Sequence, residues 1–453
     1  MRAYTGDAVE AVSRHEGEIW ELSRKIWEHP ETALEVTYVA EQLRTYLERQ
    51  GFRVETGLAG METAFAAEWG SGSPVIGFLG EYDALPDMSQ ALRPEREQIK
   101  EGGAGHACGH NLLGSAMAGS AVAVKELLER DGIPGTVRFY GCPAEEIMVG
   151  KIRMDEAHVF DGCDVCLCWH PMGCNCVANY SYAAMASVKF RFKGLMAHAA
   201  ESPDQGRSAL DAVELMNVGA NYLGEHMIPQ ARIHYVITNG GGKPNVVPPE
   251  AESWYFVRAP YKKQVDGLVQ RLVKIQKGAA LMTETEPSYK IESGCYNTIL
   301  NKRLNGLLYE SLKRVPAPAW DEEDERLAKA LLETLPQPAL EGTLGSFHLQ
   351  ELKGETLHRG VAPLRQEPFF LAGSTDVSNV SRRIPTGQVF TCCVPVGIPG
   401  HTWQTVVSVG SGIGRKGMKY AASAIADAAM VLYTRPEELV CIREEFEKTV
   451  AGL

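Results

Sequence analysis

The sequence has 453 residues, more than one ordinary hydrophobic core contains, so we expect at least two domains. Hydrophobic residues make up 45% and charged residues 23% of the chain, which is the composition of a globular protein. The formal net charge of -12 argues against nucleic acid and an acidic membrane surface as partners. Eleven cysteines, with no apolar leader and no membrane-length apolar run visible, predict a cytoplasmic protein with reduced thiols.

The first and last parts of the chain predict alternating helices and strands. Apolar residues at helical spacing indicate helices over residues 7–28, 38–50 and 111–130. Buried-type strands are predicted over residues 63–69, 74–80, 135–142, 164–170 and 388–396, and a final helix over 416–433. This alternation predicts an α/β fold, a mostly parallel sheet with helices on both faces.

The middle of the chain has a different pattern. Residues 185–295 predict the order β-α-β-β-α-β, which is the ferredoxin-like arrangement. We therefore predict a small inserted domain over these residues, between two parts of a larger domain formed by residues 1–184 and 296–453. Residues 316–368 show no periodicity that assigns them to helices or strands.

The segment GHACGHN, residues 105–111, places two imidazoles and a thiol within five residues. Small residues separate them, so Cys108 and His110 can point at one centre. Thiolate and neutral imidazole are preferred ligands of zinc. The alternative is a buried structural cysteine beside a histidine that caps the following helix.

Other ligand-type side chains lie where the predicted strands end. They are, in chain order, Asp83, Glu145 and Glu146, His170, and His401. Taken singly, each is more often an ordinary core or surface residue. The carboxyl ends of parallel strands meet at one sheet edge, where ligands bind in open α/β sheets, and this favours a shared site.

Two metal ions about 3.5–4 Å apart need about five or six ligands, one of which bridges them. The candidates that can supply five are Cys108, His110, Glu146, His170 and His401. Glu145 is then the candidate general base, because neighbouring side chains in an extended loop point apart. Asp83 can orient a ligand histidine, or it can cap the turn at Leu85. His106 is left outside the ligand set.

Three polar residues of the inserted domain are candidates for substrate binding. His198 follows a predicted strand, Asn245 follows a glycine-rich turn, and Arg258 ends another strand. Such donors suit a carbonyl oxygen and a substrate carboxylate. Without that context, Arg258 would be interpreted as a surface cation. Cys163 and Cys166 have the spacing of a redox motif, but we interpret them as buried apolar filling.

Six motifs together resemble those of the co-catalytic metallopeptidases and amidohydrolases, which include aminoacylases, carboxypeptidase G-type enzymes and indole-acetyl-amino-acid hydrolases. They are GEYDALP at 80–86, GHACGH at 105–110, PAEE at 143–146, MAHAA at 196–200, PNVVP at 244–248 and GSTD at 373–376. The resemblance implies two divalent metal ions per chain, with zinc favoured and manganese or cobalt as alternatives. It implies Cys108 as the bridging ligand, completed by His110, Glu146, His170 and His401.

The resemblance also implies roles for the remaining candidates. Glu145 corresponds to the general base, Asp83 to the orienting carboxylate, and His198, Asn245 and Arg258 to substrate-binding positions. The inserted domain is implied to act as a lid and to form a homodimer.

The expected function is therefore a metal-dependent amidohydrolase that cleaves a small N-acyl or N-aroyl amino acid. Alternatives are a dipeptidase of the same fold and a non-catalytic binding protein, and pairing with a related chain is a further possibility. Two departures from the family pattern bear on the substrate pocket. Asn111 stands where many relatives have Asp, and residues 147–149 replace a glycine-rich run.

Overall fold

The computed structural model describes residues 4–452, which separate into two compact units. The larger unit comprises residues 4–180, 299–369 and 380–452. The smaller comprises Ser181–Thr298 together with Phe370–Asn379. Nothing in the sequence periodicity had indicated that this second, short segment belongs with the inserted part of the chain.

The strands of the described residues are, in chain order, β1 (Arg53–Thr56), β2 (Phe65–Ser71), β3 (Val75–Glu81), β4 (Gly135–Cys142), β5 (Val165–Met172), β6 (Cys176–Val177), β7 (Tyr180–Tyr182), β8 (Ala184–Lys193), β9 (Arg232–Asn239), β10 (Glu250–Ala259), β11 (Glu286–Cys295), β12 (Phe369–Leu371) and β13 (Thr386–Cys392).

The α-helices of the same residues are α1 (Thr5–Glu28), α2 (Thr37–Arg49), α3 (His110–Asp131), α4 (Gly150–Glu156), α5 (Ala209–Leu223), α6 (Lys262–Thr283), α7 (Lys302–Arg314), α8 (Glu322–Glu333), α9 (Gln337–Ser346), α10 (Val377–Arg383), α11 (Trp403–Val409), α12 (Gly412–Thr434) and α13 (Pro436–Ala451).

The larger unit is built on a sheet with the strand order β1-β2-β4-β3-β5-β13-β6. Its four central strands, β4, β3, β5 and β13, run parallel to one another. Strands β1, β2 and β6 join them in antiparallel pairs. The predicted α/β class with a mostly parallel sheet is confirmed, and the carboxyl ends of the four parallel strands lie at one edge.

Helices α3 and α12 pack against these strands, and α1 packs against both helices. The apolar residues that predicted α1, among them Val12, Ile19 and Ile26, are fully buried. Each such side chain stabilises the fold by about 1.5–3 kcal/mol through its removal from water. Helix α3 is buried along most of its length, which fixes its first turn, and so His110, against the sheet.

The smaller unit has the element order β8-α5-β9-β10-α6-β11. Its strands form an antiparallel sheet in the order β11-β8-β10-β9, and α5 and α6 pack on it through side chains such as Met216 and Leu272. The chain therefore leaves the larger unit to complete a second hydrophobic core before it returns.

Two predictions about elements are corrected, and one unassigned stretch is resolved into helices. Strand β13 ends at Cys392 instead of residue 396, and α13 follows the helix that was predicted to be the last. The unassigned stretch 316–368 contains α8 and α9. Helix α8 buries only Asp324, Ala328 and Leu331, so its apolar face is too narrow to give a helical period.

Within residues 4–452, every cysteine is a free thiol. Cys163 and Cys166 are buried, with their sulfur atoms 3.8 Å apart, which confirms their interpretation as core filling. None of the helices described is long and apolar enough to span a membrane.

Candidate metal centre

The carboxyl ends of β3 and β4 bring two predicted site segments together. Glu81 on β3 lies in register with Cys142 on β4, so the loops that follow emerge side by side. The backbone N–H of Glu146 donates to Asp83 Oδ2 at 3.1 Å, and Asp83 is fully buried. The sheet register thus links the predicted orienting carboxylate to a predicted ligand.

His110 is the first residue of α3. Gly109 precedes it with φ +82°, and a Cβ there would lie 2.9 Å from Pro171 Cγ, so only glycine fits this turn. His110 Nδ1 is 3.0 Å from the Asp83 carbonyl oxygen and 3.3 Å from Asp83 Oδ1, both of which can only accept. Nδ1 therefore carries a proton, which leaves Nε2 as the atom that would bind a metal ion, as in other metal-binding imidazoles.

His170 lies within β5, two residues before the end of the strand. Its Nδ1 donates to the Pro171 carbonyl oxygen at 2.8 Å, so Nε2 is again the free ligand atom, 3.2 Å from Cys108 Sγ. Burial, with the nearby charge of His110, lowers the pKa of His170 to about 4. The ring is therefore neutral near pH 7, the form that binds metal ions.

His401 reaches the same place from the loop after β13. Its φ of +59° is left-handed, and its backbone N–H donates to the Ala107 carbonyl oxygen at 3.0 Å. The side chain is 55% exposed, and Nε2 lies 3.5 Å from Glu146 Oε2. This histidine faces solvent, whereas His110 is buried.

The five predicted ligands fall into two groups that share one member. The donor atoms of Cys108, His110 and His170 lie within 4.8 Å of one another, and so do those of Cys108, Glu146 and His401. The common residue is Cys108, the thiol expected to bridge two ions. A third group of the same size joins Glu81, His110 and Glu145.

The donor set fits divalent cations. Among the buried polar atoms of the described chain, His110 Nε2 and Glu146 Oε1 have no hydrogen-bond partner. Burial and the neighbouring carboxylate of Glu146 raise the pKa of the Cys108 thiol, and burial, reinforced by Asp83, raises the pKa of Glu146. A bound cation would stabilise the thiolate, carboxylate and neutral imidazole forms of groups crowded together in this way, and it would also supply the missing partners.

Glu145 and Glu146 belong to different groups, although they are neighbours in sequence. Glu146 lies with His401, while Glu145 lies with Glu81 and His110. The turn that separates them from β4 has left-handed backbone at Ala144, with φ +58°. This divergence is the geometry that the division into ligand and general base requires.

Residues 147–149, which stand in place of the expected glycine-rich run, form the turn after the two glutamates. Met148 adopts φ +55°, a conformation that glycine would take without strain. Gly150 has no room for a side chain, because a Cβ there would lie 1.7 Å from the Pro143 carbonyl oxygen.

Three further residues, His106, Glu81 and Lys151, lie near the candidate metal centre. His106 Nε2 donates to the Ile26 carbonyl oxygen at 3.1 Å, so this histidine fastens the loop, as its exclusion from the ligand set anticipated. The sequence patterns indicate no role for Glu81 or Lys151, whose Oε1 and Nζ atoms are 2.7 Å apart. Burial would raise the pKa of Glu81, but the Lys151 ammonium holds it below its usual value. The sequence did contain a sign that Glu81 is unusual, since it is the one charged residue of an otherwise apolar strand.

The three predicted substrate-binding residues all lie in the smaller unit. His198 is exposed, and its Nδ1 accepts from the backbone N–H groups of Ala200 and Glu201 at 3.3 and 3.1 Å, so Nε2 carries the proton. Asn245 is tied to the same turn, because its carbonyl oxygen accepts from Ala199 N–H at 3.0 Å. Arg258, on β10, donates to the Ala372 carbonyl oxygen at 3.3 Å.

Comparison with known proteins gives consistent matches. Residues 77–335 match the model of peptidase family M20/M25/M40. The chain is 42% identical over 442 residues to a chain of the p-aminobenzoyl-glutamate hydrolase of Escherichia coli, covering 95% of this chain and 91% of the relative. It is 31% identical over 446 residues to the Xaa-Arg dipeptidase of Homo sapiens, covering 94% of this chain and 88% of the relative.

Among solved structures, the fold is similar to that of the YXEP protein of Bacillus subtilis, described as a dinuclear metal-binding peptidase. The TM-score is 0.58 at 18% identity, over 91% of this chain and 98% of that one. The resemblance that the six motifs carried is thereby confirmed. The chain belongs to peptidase family M20/M25/M40 and is a metal-dependent hydrolase of amide bonds.

Proposed function

We propose that the protein cleaves the amide bond of an N-acyl or N-aroyl amino acid of the p-aminobenzoyl-glutamate type. The observation that carries this proposal is the alignment of nearly the whole chain with the Escherichia coli relative named for that substrate. The complete set of ligand-type residues and the separate carboxylate of Glu145 support catalysis over mere binding.

Two divalent ions, when bound, would supply an activated water molecule and polarise the substrate carbonyl. Cys108, His110, Glu146, His170 and His401 would hold them, with Cys108 shared. Glu145 would accept the proton of the attacking water and return it to the leaving amine. Asp83 would keep His110 in the tautomer that presents Nε2.

The smaller unit would bind the substrate. The Nε2–H of His198 is a donor for the substrate carbonyl oxygen, and the Arg258 guanidinium suits the substrate carboxylate, with Asn245 as a further donor. We propose that this unit acts as a lid and that the protein is a cytoplasmic homodimer. The Escherichia coli relative is named as one of the subunits of its hydrolase, which supports pairing with a related chain as the alternative assembly.

The first test concerns the metal and the base. The wild-type protein, purified without chelator, should contain about two divalent ions per chain, chiefly zinc, by elemental analysis. Glu145→Gln keeps the shape of the side chain but cannot accept a proton, so turnover should fall by at least about 10²-fold with the ions retained. The matched variant Glu146→Gln should lose metal. A metal-free wild-type enzyme with full activity would refute the two-ion proposal, and metal loss in Glu145→Gln would reverse the two roles.

The second test concerns the substrate. Metal-reconstituted protein would be assayed with p-aminobenzoyl-glutamate, N-acetyl amino acids and dipeptides that end in arginine. We expect the highest kcat/KM with p-aminobenzoyl-glutamate. A dipeptidase is the second candidate function, because the human Xaa-Arg dipeptidase also aligns with most of the chain, and a preference for those dipeptides would support it. Tight binding without turnover of any compound would indicate a binding protein.

A further inference from the structure

A cavity beside α1, lined by two tryptophans, has no part in the proposed function. Its volume is about 460 Å³, within the range of about 300–1,000 Å³ that small-molecule sites occupy. Trp20 and Trp27 are two helical turns apart on α1, so both indole rings lie on one side of that helix, with Arg24 between them. The residues that line the cavity all belong to the larger unit.

Contacts with the end of α11 fix the aromatic wall of this cavity. Trp27 Nε1 donates to the Val406 carbonyl oxygen at 2.9 Å. A Cβ at Gly410 would lie 2.7 Å from the Trp27 ring, so the indole lies directly against the backbone there. A preformed aromatic surface of this kind suits a flat ring, because aromatic rings attract one another beyond the effect of buried area.

Asn111 lines the same cavity and carries an acceptor without a partner. Its Nδ2 donates to Ser23 Oγ at 3.0 Å and to the Val409 carbonyl oxygen at 3.3 Å, so both amide hydrogens are used. Within the described part of the chain, the buried Oδ1 of Asn111 accepts no hydrogen bond. The preceding residue, His110, is turned instead towards Asp83. A ligand with an N–H donor would therefore supply the partner that this oxygen lacks.

The charged groups of the cavity lie at its exposed side. Arg24 and Arg93 are 51% and 56% exposed, and each is 2.6 Å from a glutamate, Glu28 and Glu97 respectively. Exposed pairs of this kind are weak, so a guanidinium can exchange its partner for the carboxylate of a ligand. Glu28 and Glu323 also line the cavity, which leaves the lining without net charge and disfavours multiply charged ligands.

We propose that this cavity is a second binding site, which takes a small aminoaryl carboxylate of the p-aminobenzoate type. The ring would lie against the tryptophans, the amine would donate to the buried Asn111 Oδ1, and the acid would meet the exposed Arg93. Such a compound is the aryl product of the proposed reaction, so the identity of the ligand rests on the proposed function. The site itself lies outside the candidate metal centre.

Isothermal titration calorimetry of the metal-loaded protein with p-aminobenzoate tests the site. Trp20→Leu should weaken binding at least about fivefold, because the ring loses an aromatic partner. Arg93→Gln, a change at an exposed side chain, should weaken it by a similar factor through loss of the ion pair with the ligand. Benzoate, which lacks the amine, should bind the wild type at least about fivefold more weakly, since Asn111 Oδ1 then has no donor.

The matched control is Trp69→Leu, which changes a half-buried tryptophan on β2 that does not line the cavity. This variant should bind p-aminobenzoate as tightly as the wild type. Wild-type affinity in Arg93→Gln and in folded Trp20→Leu would overturn the proposal. Equal affinities of the wild type for benzoate and p-aminobenzoate would overturn it as well.

A crystal structure of the metal-loaded protein with p-aminobenzoate locates the ligand. An amine nitrogen within about 3.2 Å of Asn111 Oδ1 supports the site, and a ligand bound only at the metal centre overturns it. Hydrolysis of p-aminobenzoyl-glutamate by a protein that binds nothing in this cavity refutes the second site alone. Binding in the cavity by a protein that does not hydrolyse that compound supports the second site and refutes the proposed substrate.

Discussion

The side-chain amide of Asn111, next to the ligand candidate His110, donates hydrogen bonds to two other segments of the chain. The residue follows His110 on α3 and is fully buried. Its Nδ2 donates to Ser23 Oγ at 3.0 Å and to the Val409 carbonyl oxygen at 3.3 Å. The carbonyl can only accept, so a carboxylate at this position would face an acceptor instead of satisfying it.

Asn111→Asp should therefore reduce the free energy of unfolding by about 1–3 kcal/mol, the usual cost of an unsatisfied buried group. Urea unfolding of the metal-loaded protein measures this change in the free energy of unfolding. The matched control is Asn221→Asp, an exposed amide whose Nδ2 contacts Tyr235 Oη at 3.2 Å. That change should stay within about 0.5 kcal/mol of the wild type. Equal stability of the Asn111 variant would mean that its amide donor is not needed.

At the scale of elements, the turn between β4 and α4 positions both glutamates. It passes through left-handed backbone at Ala144 and Met148 and closes where Gly150 meets the Pro143 carbonyl oxygen. Local strain of this kind persists where the surrounding structure holds it, and it is often found at functional sites. The turn is short, and we interpret it as rigid, so that a displacement at its end would be transmitted to Glu146.

Gly150→Ala tests that turn. The added methyl would lie 1.7 Å from the Pro143 carbonyl oxygen, so the backbone must move, at a cost of about 1–3 kcal/mol in unfolding free energy. We expect loss of metal as well, because Glu146 moves with the turn. Gly278→Ala in α6, where no atom lies within 4 Å of the new methyl, should instead gain up to about 1 kcal/mol. Normal metal content in Gly150→Ala would contradict the rigid-turn interpretation.

The sequence predicted the parallel strands because fully buried strands are apolar along most of their length, as β3 and β5 are apart from Glu81 and His170. It predicted the site because ligand-type residues follow such strands, and the structure brings those of the larger unit together. Short or polar elements such as β1 and α4 carried too few apolar residues to show a period. The pairing of Glu81 with Lys151 depends on how distant segments meet, which no local pattern encodes.

At the scale of the whole molecule, the proposed metal and substrate residues belong to separate units of the fold. The metal candidates are in the larger unit, and His198, Asn245 and Arg258 are in the smaller one. If each active site is completed by the second protomer of a homodimer, the two sets of residues act together only after assembly.

Exchange of protomers between two inactive variants tests whether each active site is completed by the second protomer. His198→Ala and Glu145→Gln should each be nearly inactive alone. Mixed and allowed to exchange, they form heterodimers with one intact site, which restores up to roughly a quarter of wild-type activity when mixing is random. Two variants of the same residue, mixed in the same way, provide the control and should recover nothing. Mass spectrometry confirms exchange, and exchange without recovery would show that His198 does not serve the other protomer's site.

The position of β13 between β5 and β6 has a consequence for how the protein is made. Strand β5 ends at Met172, and its neighbour β13 begins only at Thr386. At the speed of translation, about 5–20 residues per second, the intervening stretch of about 200 residues takes about 10–40 s. Throughout that time the apolar edge of β5 has no neighbour, and an open edge of this kind readily pairs with another chain. Shielding of that edge until β13 emerges would therefore favour correct folding of the nascent protein.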